Sequence, residues 1–196
     1  MRQITLPELL SNCPKDDLGK IFIEDKNILL SFGEVQNRVQ ALAAILQQHG
    51  FKAGDFALIY MEKRWEAIVA ILAVSWLGGI FVPVNHLFRT KHIKHILSDI
   101  NANFVFLSKK TLKQMDLADR SLLTLFSQNS CIMVDELDDP SIFKQFETLK
   151  SDLTEKITID IEHPERQISQ DIAAILYTSG TTGLPKGILI PHHVFV

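Results

Sequence analysis

Short apolar runs of strand length alternate with longer segments of helical periodicity through most of this chain. Four runs rich in Phe, Val, Ile and Leu are predicted to be strands: residues 56–61, 81–84, 103–107 and 131–134. The segments between them are predicted to be helices: residues 64–77, residues 119–128, and a short helix that Thr90 caps and that ends at Ser98. Strands that alternate with helices favour a parallel sheet covered by helices on both faces. The sequence therefore predicts an α/β fold with a mainly parallel sheet.

The most apolar segment, residues 67–84, has the length of a membrane span. Gly78 and Gly79 divide this segment, and Pro83 lies near its end. The part before the glycines has the length of a globular helix, and the part after them has the length of a buried strand. We therefore expect a buried helix that leads into a buried strand, and no transmembrane segment.

The first part of the chain predicts a hairpin followed by a capped helix. Residues 21–23 and 28–30 are apolar and flank a short polar turn, as in a β-hairpin. Ser31 and Glu34 have the spacing of a capping box, in which each side chain binds a backbone N–H at the start of a helix. Apolar side chains then follow at spacings of three and four residues as far as Gly50, a residue suited to end a helix.

The periodic signal weakens between residues 138 and 170. Residues 141–149 are predicted to be a helix within a mostly polar connection, and residues 172–177 start a new apolar strand. We therefore divide the chain into a first α/β subdomain, residues 1–170, and the start of a second subdomain, residues 171–196.

Charge and composition narrow the classes of partner. The formal net charge of −3 gives no indication of binding to nucleic acid or to an anionic membrane. Cys13 and Cys131 lie far apart and show no zinc-binding spacing, which is typical of a reduced, cytoplasmic chain. His192 and His193 are expected on one strand, where adjacent side chains point to opposite faces, so we predict no metal site there.

One segment, from Tyr177 to Gly187, has the composition of a polyphosphate-binding loop. It contains three glycines, four hydroxyl residues, one proline and Lys186. Glycines allow the backbone amides to turn towards an anion without interference from a Cβ atom, and hydroxyl groups add hydrogen-bond donors. The lysine supplies a full positive charge. A surface turn without function would need only two or three such residues.

The segment differs from the Walker A type of phosphate-binding loop. In that motif a Ser or Thr follows Gly-Lys, whereas here Lys186 lies between Pro185 and Gly187. Pro185 disfavours a helix at this point, and residues 188–190 have the pattern of a strand. We therefore expect the loop to join two strands, so that it does not bind phosphate through a helix dipole.

The segment from Tyr177 to Gly187 resembles, at every position, the phosphate-binding signature of the AMP-forming adenylating enzymes. These are the acyl-CoA synthetases, the adenylation domains of peptide synthetases and the luciferases. Residues 30–35 and 77–85 resemble two earlier motifs of the same enzymes, so that the resemblance covers nearly the whole chain. The sequence departs from the pattern at Pro191, where relatives usually carry Thr or Ser.

The resemblance implies the first subdomain of the large N-terminal domain of an acyl-CoA synthetase-like fold. It also implies that a carboxylic acid reacts with ATP in the presence of Mg²⁺, and that coenzyme A or the pantetheine of a carrier protein then displaces AMP. The ATP-binding residues would be Thr178, Ser179, Gly180, Thr181, Thr182, Gly183 and Lys186. By the same resemblance, the catalytic residues and metal ligands lie after Val196, so the chain alone is expected to be inactive.

Asn85 helps to distinguish the classes of adenylating enzyme that this chain resembles. Acyl-CoA synthetases resemble this chain in having Asn at this position, whereas peptide synthetase adenylation domains usually carry Asp. The expectation is therefore a ligase for a fatty or other acyl acid, with a role in lipid metabolism. Two alternatives remain open: an adenylation domain that loads a carrier protein, and a non-catalytic nucleotide-binding or interaction module.

Overall fold

The computed structural model describes residues 4–115, 130–135, 147–148, 168–178 and 183–196. The strands in these residues are β1 (Ile21–Asp25), β2 (Ile28–Ser31), β3 (Phe56–Tyr60), β4 (Ile80–Pro83), β5 (Phe104–Leu107), β6 (Ser130–Met133), β7 (Glu147–Thr148), β8 (Ile172–Thr178) and β9 (Lys186–Pro191). The α-helices are α1 (Glu8–Ser11), α2 (Phe32–Gln48), α3 (Trp65–Trp76), α4 (Thr90–Ile100) and α5 (Lys109–Gln114). Two 3₁₀ helices, Lys15–Asp17 and His192–Val194, complete the described structure.

The larger sheet has seven strands in the order β7-β6-β5-β3-β4-β8-β9. Its strand pairs are parallel except for the pair of β8 with the edge strand β9, which is antiparallel. The prediction of a mainly parallel α/β sheet is therefore confirmed. Strands β1 and β2 form a separate antiparallel hairpin, which confirms the prediction for that segment.

Two apolar cores lie on opposite faces of the sheet because successive strand residues point to opposite sides. In β3, Ala57 and Ile59 pack with α2 and α3, whereas Leu58 and Tyr60 pack with α4 and α5. The other central strands alternate in the same way. Helices therefore cover both faces, as expected of a parallel sheet.

The ends of α2 follow from local sequence. The Glu34 backbone N–H donates to Ser31 Oγ at 3.3 Å, and the Ser31 backbone N–H donates to Glu34 Oε2 at 2.8 Å, which confirms the capping box. Such a cap stabilises a helix by about 1 kcal/mol. At the other end Gly50 has a φ of 85°. The Phe51 backbone N–H donates to the Leu46 carbonyl at 2.9 Å, which is the hydrogen bond of a Schellman motif.

Helix α3 is the first part of the apolar run, and β4 is the second part. The helix ends at Trp76, and Gly78, with a φ of 71°, reverses the chain into the strand. The prediction of a buried helix that leads into a buried strand is confirmed. In the described part of the chain, no helix combines the length and apolar character needed to cross a membrane.

The structure differs from the sequence predictions at several places. Helix α4 begins after Arg89, whose backbone N–H donates to His92 Nδ1 at 3.2 Å, so Thr90 is inside the helix. Helices α1 and α5 were not predicted. Glu147–Thr148 is a short strand, so the predicted helix 141–149 is wrong at these two residues, and its other residues lie outside those described. The predicted helix 119–128 also lies outside them.

Candidate phosphate-binding loop

Residues 179–185 join β8 to β9, and the pair of Thr178 with Lys186 closes the antiparallel ladder at the base of this loop. The prediction that the segment joins two strands is confirmed. Because β8 runs parallel to β4, the loop leaves the sheet at the edge where the central parallel strands have their carboxyl ends. Ligands of open α/β sheets bind at this edge.

Three of the predicted ATP-binding residues belong to the described residues. Thr178 is the exposed last residue of β8, Lys186 is the exposed first residue of β9, and Gly183 is exposed between them. The other four, Ser179, Gly180, Thr181 and Thr182, lie outside the described residues.

The described residues of the loop fit a polyanion. Gly183 has a φ of 85°, a backbone conformation that favours glycine, and a Cβ atom placed there would have nothing within 4 Å. Lys186 makes no ion pair with any of the residues that the structure describes. An exposed ammonium group and open space beside the backbone are what a phosphate group requires.

Gly187 is needed because a Cβ atom at this position would collide with Ile175 and crowd the aromatic ring of Tyr177 on the facing strand. Tyr177 and Gly187 are partners in the β8–β9 ladder. A Cβ atom on Gly187 would lie 3.2 Å from Cζ of Tyr177 and 2.8 Å from a methyl carbon of Ile175. The absent side chain therefore leaves the space in which the Tyr177 ring lies.

Helix α4 contacts the loop through two side chains. The Tyr177 hydroxyl donates a hydrogen bond to the carboxylate of Asp99. His95 Nε2 lies 3.1 Å from the carbonyl oxygen of Pro185, and because a carbonyl only accepts, Nε2 carries the proton. Burial and, second, the hydrogen bond to Asp99 raise the pKa of Tyr177, so the hydroxyl stays protonated at neutral pH. Sequence reasoning did not find His95 or Asp99 because only the fold brings α4 to the loop.

His192 and His193 follow β9 in a 3₁₀ helix, so the prediction that they share a strand is wrong. Pro191 pairs with Ile172 as the last residue of β9, and the 3₁₀ turn begins directly after it. His192 is buried and His193 is exposed.

A cavity of about 750 Å³ opens at the carboxyl ends of β3 and β4, beside the β1–β2 hairpin and the start of α3. Its wall is mainly apolar and includes Ile59, Met61 and Ile68. Its polar residues include Lys63 and His86. No residue of the described loop lines it, so the cavity and the loop are separate features of this sheet edge.

Arg64, which lines this cavity, is the centre of a charged cluster. The guanidinium donates to both carboxylate oxygens of Glu66, at 2.6 and 2.8 Å, and to both of Asp135, at 2.9 and 3.0 Å. The hydrogen bonds to Glu66 are the main reason that the pKa of Arg64 is raised. Glu62 also belongs to the cluster, because its carboxylate lies 3.5 Å from the guanidinium. Ser108 Oγ extends the cluster by donating to Glu62 at 2.6 Å. The cluster thus joins the carboxyl ends of β3, β5 and β6.

Comparison with known protein families decides the class of this chain. Residues 12–196 match the family model of the AMP-binding enzymes. The chain belongs to this family. Two of its relatives are malpinin synthetase of Mortierella alpina, 34% identical over 176 residues, and tyrocidine synthase 2 of Brevibacillus parabrevis, 29% identical over 163 residues.

Solved structures show the same fold. The anthranilate CoA ligase AuaEII in complex with anthranoyl-AMP matches 98% of this chain with a TM-score of 0.82 at 18% identity. ATP-bound MatB from Rhodopseudomonas palustris matches 97% with a TM-score of 0.74 at 23% identity. The chain spans 36% and 35% of these two structures. It spans 2% of malpinin synthetase and 4% of tyrocidine synthase 2.

Proposed function

We propose that this chain is the phosphate-binding part of an enzyme that uses ATP to convert a carboxylic acid into an acyl-adenylate. One observation carries the proposal. In a member of the AMP-binding family, the glycine- and hydroxyl-rich segment joins β8 to β9 at the carboxyl edge of a parallel sheet, with Lys186 exposed at its end. Residues of this kind at this place suit a nucleoside triphosphate.

In the proposed reaction an oxygen of the carboxylate attacks the α-phosphorus of ATP, and the bond from that phosphorus to pyrophosphate breaks. The hydroxyl groups of Thr178, Ser179, Thr181 and Thr182 would hold the β- and γ-phosphates, together with backbone amides at Gly180 and Gly183. Lys186 would neutralise part of the charge that pyrophosphate carries away. Mg²⁺ would accompany ATP and screen its phosphates. Positioning and charge neutralisation are the main contributions of a protein to such a transfer.

The acceptor of the acyl group is a separate question. A further relative is named as a nonribosomal peptide synthetase, which favours the pantetheine of a carrier protein. Asn85 and the CoA ligase among the structural neighbours favour coenzyme A. Both acceptors therefore remain in the proposal. The expectation of a fatty acid and of lipid metabolism has no support from these comparisons, because the CoA ligase is named for anthranilate.

The division of the chain into two subdomains at residue 170 also remains a prediction, although β8 pairs with β4 in one sheet.

A cytoplasmic location is a further proposal, supported by cysteines that form no disulfide with each other.

ATP–pyrophosphate exchange tests the proposed function in the complete gene product that contains these residues. We expect Lys186→Ala and Gly180→Val to slow the exchange by about tenfold or more, because the first removes a positive charge beside the transferring phosphates and the second adds a Cβ atom that hinders their approach to the backbone amides. Thermal unfolding of the same variants should change little. Lys52→Ala, at an exposed lysine away from the loop, is the matched control. Unchanged exchange in both loop variants would remove the phosphate-binding role.

A further inference from the structure

Helix α4 contacts the phosphate-binding loop on both sides. Tyr177 precedes the loop and donates its hydroxyl hydrogen to Asp99. Pro185 ends the loop, and its carbonyl accepts from His95 Nε2 at 3.1 Å. His95 and Asp99 are four residues apart, so they lie on the same face of the helix. One helical turn therefore holds both limbs of the loop.

The position of α4 is fixed by its other face. Ile93, Ile96, Leu97 and Ile100 are buried against the sheet. Tyr177 packs partly against the same core, and Pro185 is buried. The two contacts thus connect the loop to an element that is itself well packed, and a rigid element positions a binding site better than a loop can.

The strand that follows the loop contributes to the same arrangement. Gly187 leaves the space occupied by the Tyr177 ring, with a hypothetical Cβ only 3.4 Å from the Tyr177 hydroxyl oxygen. The ring therefore crosses the ladder in front of Gly187 and extends to Asp99. This arrangement combines an aromatic hydroxyl on β8, a glycine on β9 and a carboxylate on α4.

We propose that His95 and Asp99 are positioning residues, which hold the two limbs of the loop at the separation needed to bind the triphosphate of ATP. This proposal rests on the proposed function of the loop. By sequence, residues 179–183 are small and polar, so they carry little apolar surface with which to fix the loop. A small displacement of groups that bind a reacting substrate reduces the rate strongly. External contacts at both limbs would prevent such a displacement.

The test is ATP–pyrophosphate exchange by the complete gene product with varied MgATP and varied carboxylic acid. Tyr177→Phe removes the donor to Asp99, and His95→Leu removes the donor to Pro185. We expect each variant to raise KM for MgATP about five- to tenfold, the effect of losing one hydrogen bond, and to leave KM for the acid unchanged. His95→Gln can still donate through its amide nitrogen and should restore most of the affinity. Ser98→Ala, at an exposed position of the same helix, is the control.

The outcomes separate this proposal from the proposed function. If Lys186→Ala impairs the exchange while Tyr177→Phe and His95→Leu leave KM for MgATP unchanged, the loop binds phosphate and the positioning role is wrong. Equal changes in KM for both substrates, or no rescue by His95→Gln, would indicate general damage to the fold. Either result would also overturn the positioning role. Exchange that is absent from the wild type, or insensitive to Lys186→Ala, overturns both proposals.

Discussion

The imidazole of His192 accepts a hydrogen bond at Nδ1 from the backbone N–H of Leu6, at 3.2 Å. His192 is only 2% exposed, and it follows the last strand of the sheet, whereas Leu6 precedes the first helix. The contact thus ties the start of the described chain to the segment after β9. Nδ1 can accept only when it carries no proton, so the bond requires a neutral ring.

We expect the free energy of unfolding to fall as the pH decreases below 6.5. Burial lowers the pKa of His192 from 6.5, although the carboxylate of Asp171 opposes this effect. Between the lowered pKa and 6.5, the His192 ring binds a proton more readily in the unfolded chain than in the folded chain. The contribution of His192 to stability is therefore fully present above pH 6.5 and is lost as the pH falls below it. The loss attributable to His192 should be about 1 kcal/mol, the order of one hydrogen bond. Urea titrations at pH 7.5 and 5.5 would measure it.

His192→Asn is the matched variant for this measurement. The Asn side-chain oxygen can accept from Leu6 and does not titrate. The pH dependence of the variant should therefore be shallower than that of the wild type. The pKa of His92 is also lowered mainly by burial. Because His92 is present in both proteins, its contribution to the pH dependence cancels in the comparison. Equal pH dependence in the two proteins would exclude His192 as the cause.

Gly79→Ala should destabilise the fold by about 1 to 3 kcal/mol, the usual cost of overpacking a core. The new Cβ would lie 2.3 Å from Cζ of Phe51, and that ring also packs on Phe104 with centroids 5.1 Å apart. Phe51→Leu shortens the side chain that causes the clash. The double variant should therefore lose less stability than the sum of the two single variants, as measured by chemical denaturation.

Gly54→Ala is the control for Gly79→Ala. Gly54 has open space around the position of a Cβ atom and is not a chain neighbour of Phe51, but its φ of 86° disfavours other residues. We expect a loss of about 1 kcal/mol from the backbone conformation alone. In the double variant with Phe51→Leu, the two losses of stability should simply add. Equal coupling at both glycines would contradict the steric account of Gly79.

Cys131 should resist thiol reagents in the native protein. Burial raises the pKa of its thiol to about 12, and the thiolate is the reactive form. Cys13 is only half-buried and should react. With a chromogenic disulfide at pH 8 we expect one thiol to react rapidly in the native chain and both cysteines to react in denaturant. Rapid reaction of two thiols without denaturant would show that Cys131 is accessible.

Residues 1–196 alone should bind MgATP with millimolar affinity or weaker and form no acyl-adenylate. Three charge-assisted hydrogen bonds from the loop would contribute about 5 to 9 kcal/mol in total. Association and ordering of the loop cost about 4 to 15 kcal/mol, and a net 4 kcal/mol corresponds to about 1 mM. Calorimetry with MgATP measures the affinity directly. Micromolar binding would instead favour a self-sufficient nucleotide-binding module.

Local patterns predicted much of the fold because the interactions concerned are local. The reciprocal hydrogen bonds of Ser31 and Glu34 span three residues, and the alternation of apolar residues in β3 follows from strand geometry. The start of α4 was misplaced because Thr90 is a favoured cap, whereas the structure uses the ring of His92 as the acceptor.

The parts of the site that could not be predicted depend on long-range contacts. Asp99 and Tyr177 are 78 residues apart, and nothing in either local sequence indicates the other. The pairing of β8 with β4 is also a long-range contact that local sequence does not indicate, since periodicity specifies a strand but not its neighbour. Sequence patterns therefore located the loop but did not reveal the helix that contacts it.

The strand order has a consequence for the synthesis of this protein. β4 pairs with β3 on one side and with β8 on the other, and β8 ends at Thr178. A nascent chain that has emerged only as far as β6 therefore exposes the backbone donors and acceptors of β4 along an open edge. Such edges pair readily with other chains, which makes them sites of aggregation. Release of β8 from the ribosome closes this edge, so a pause in translation before Ile172 would prolong the period in which the nascent chain needs a chaperone.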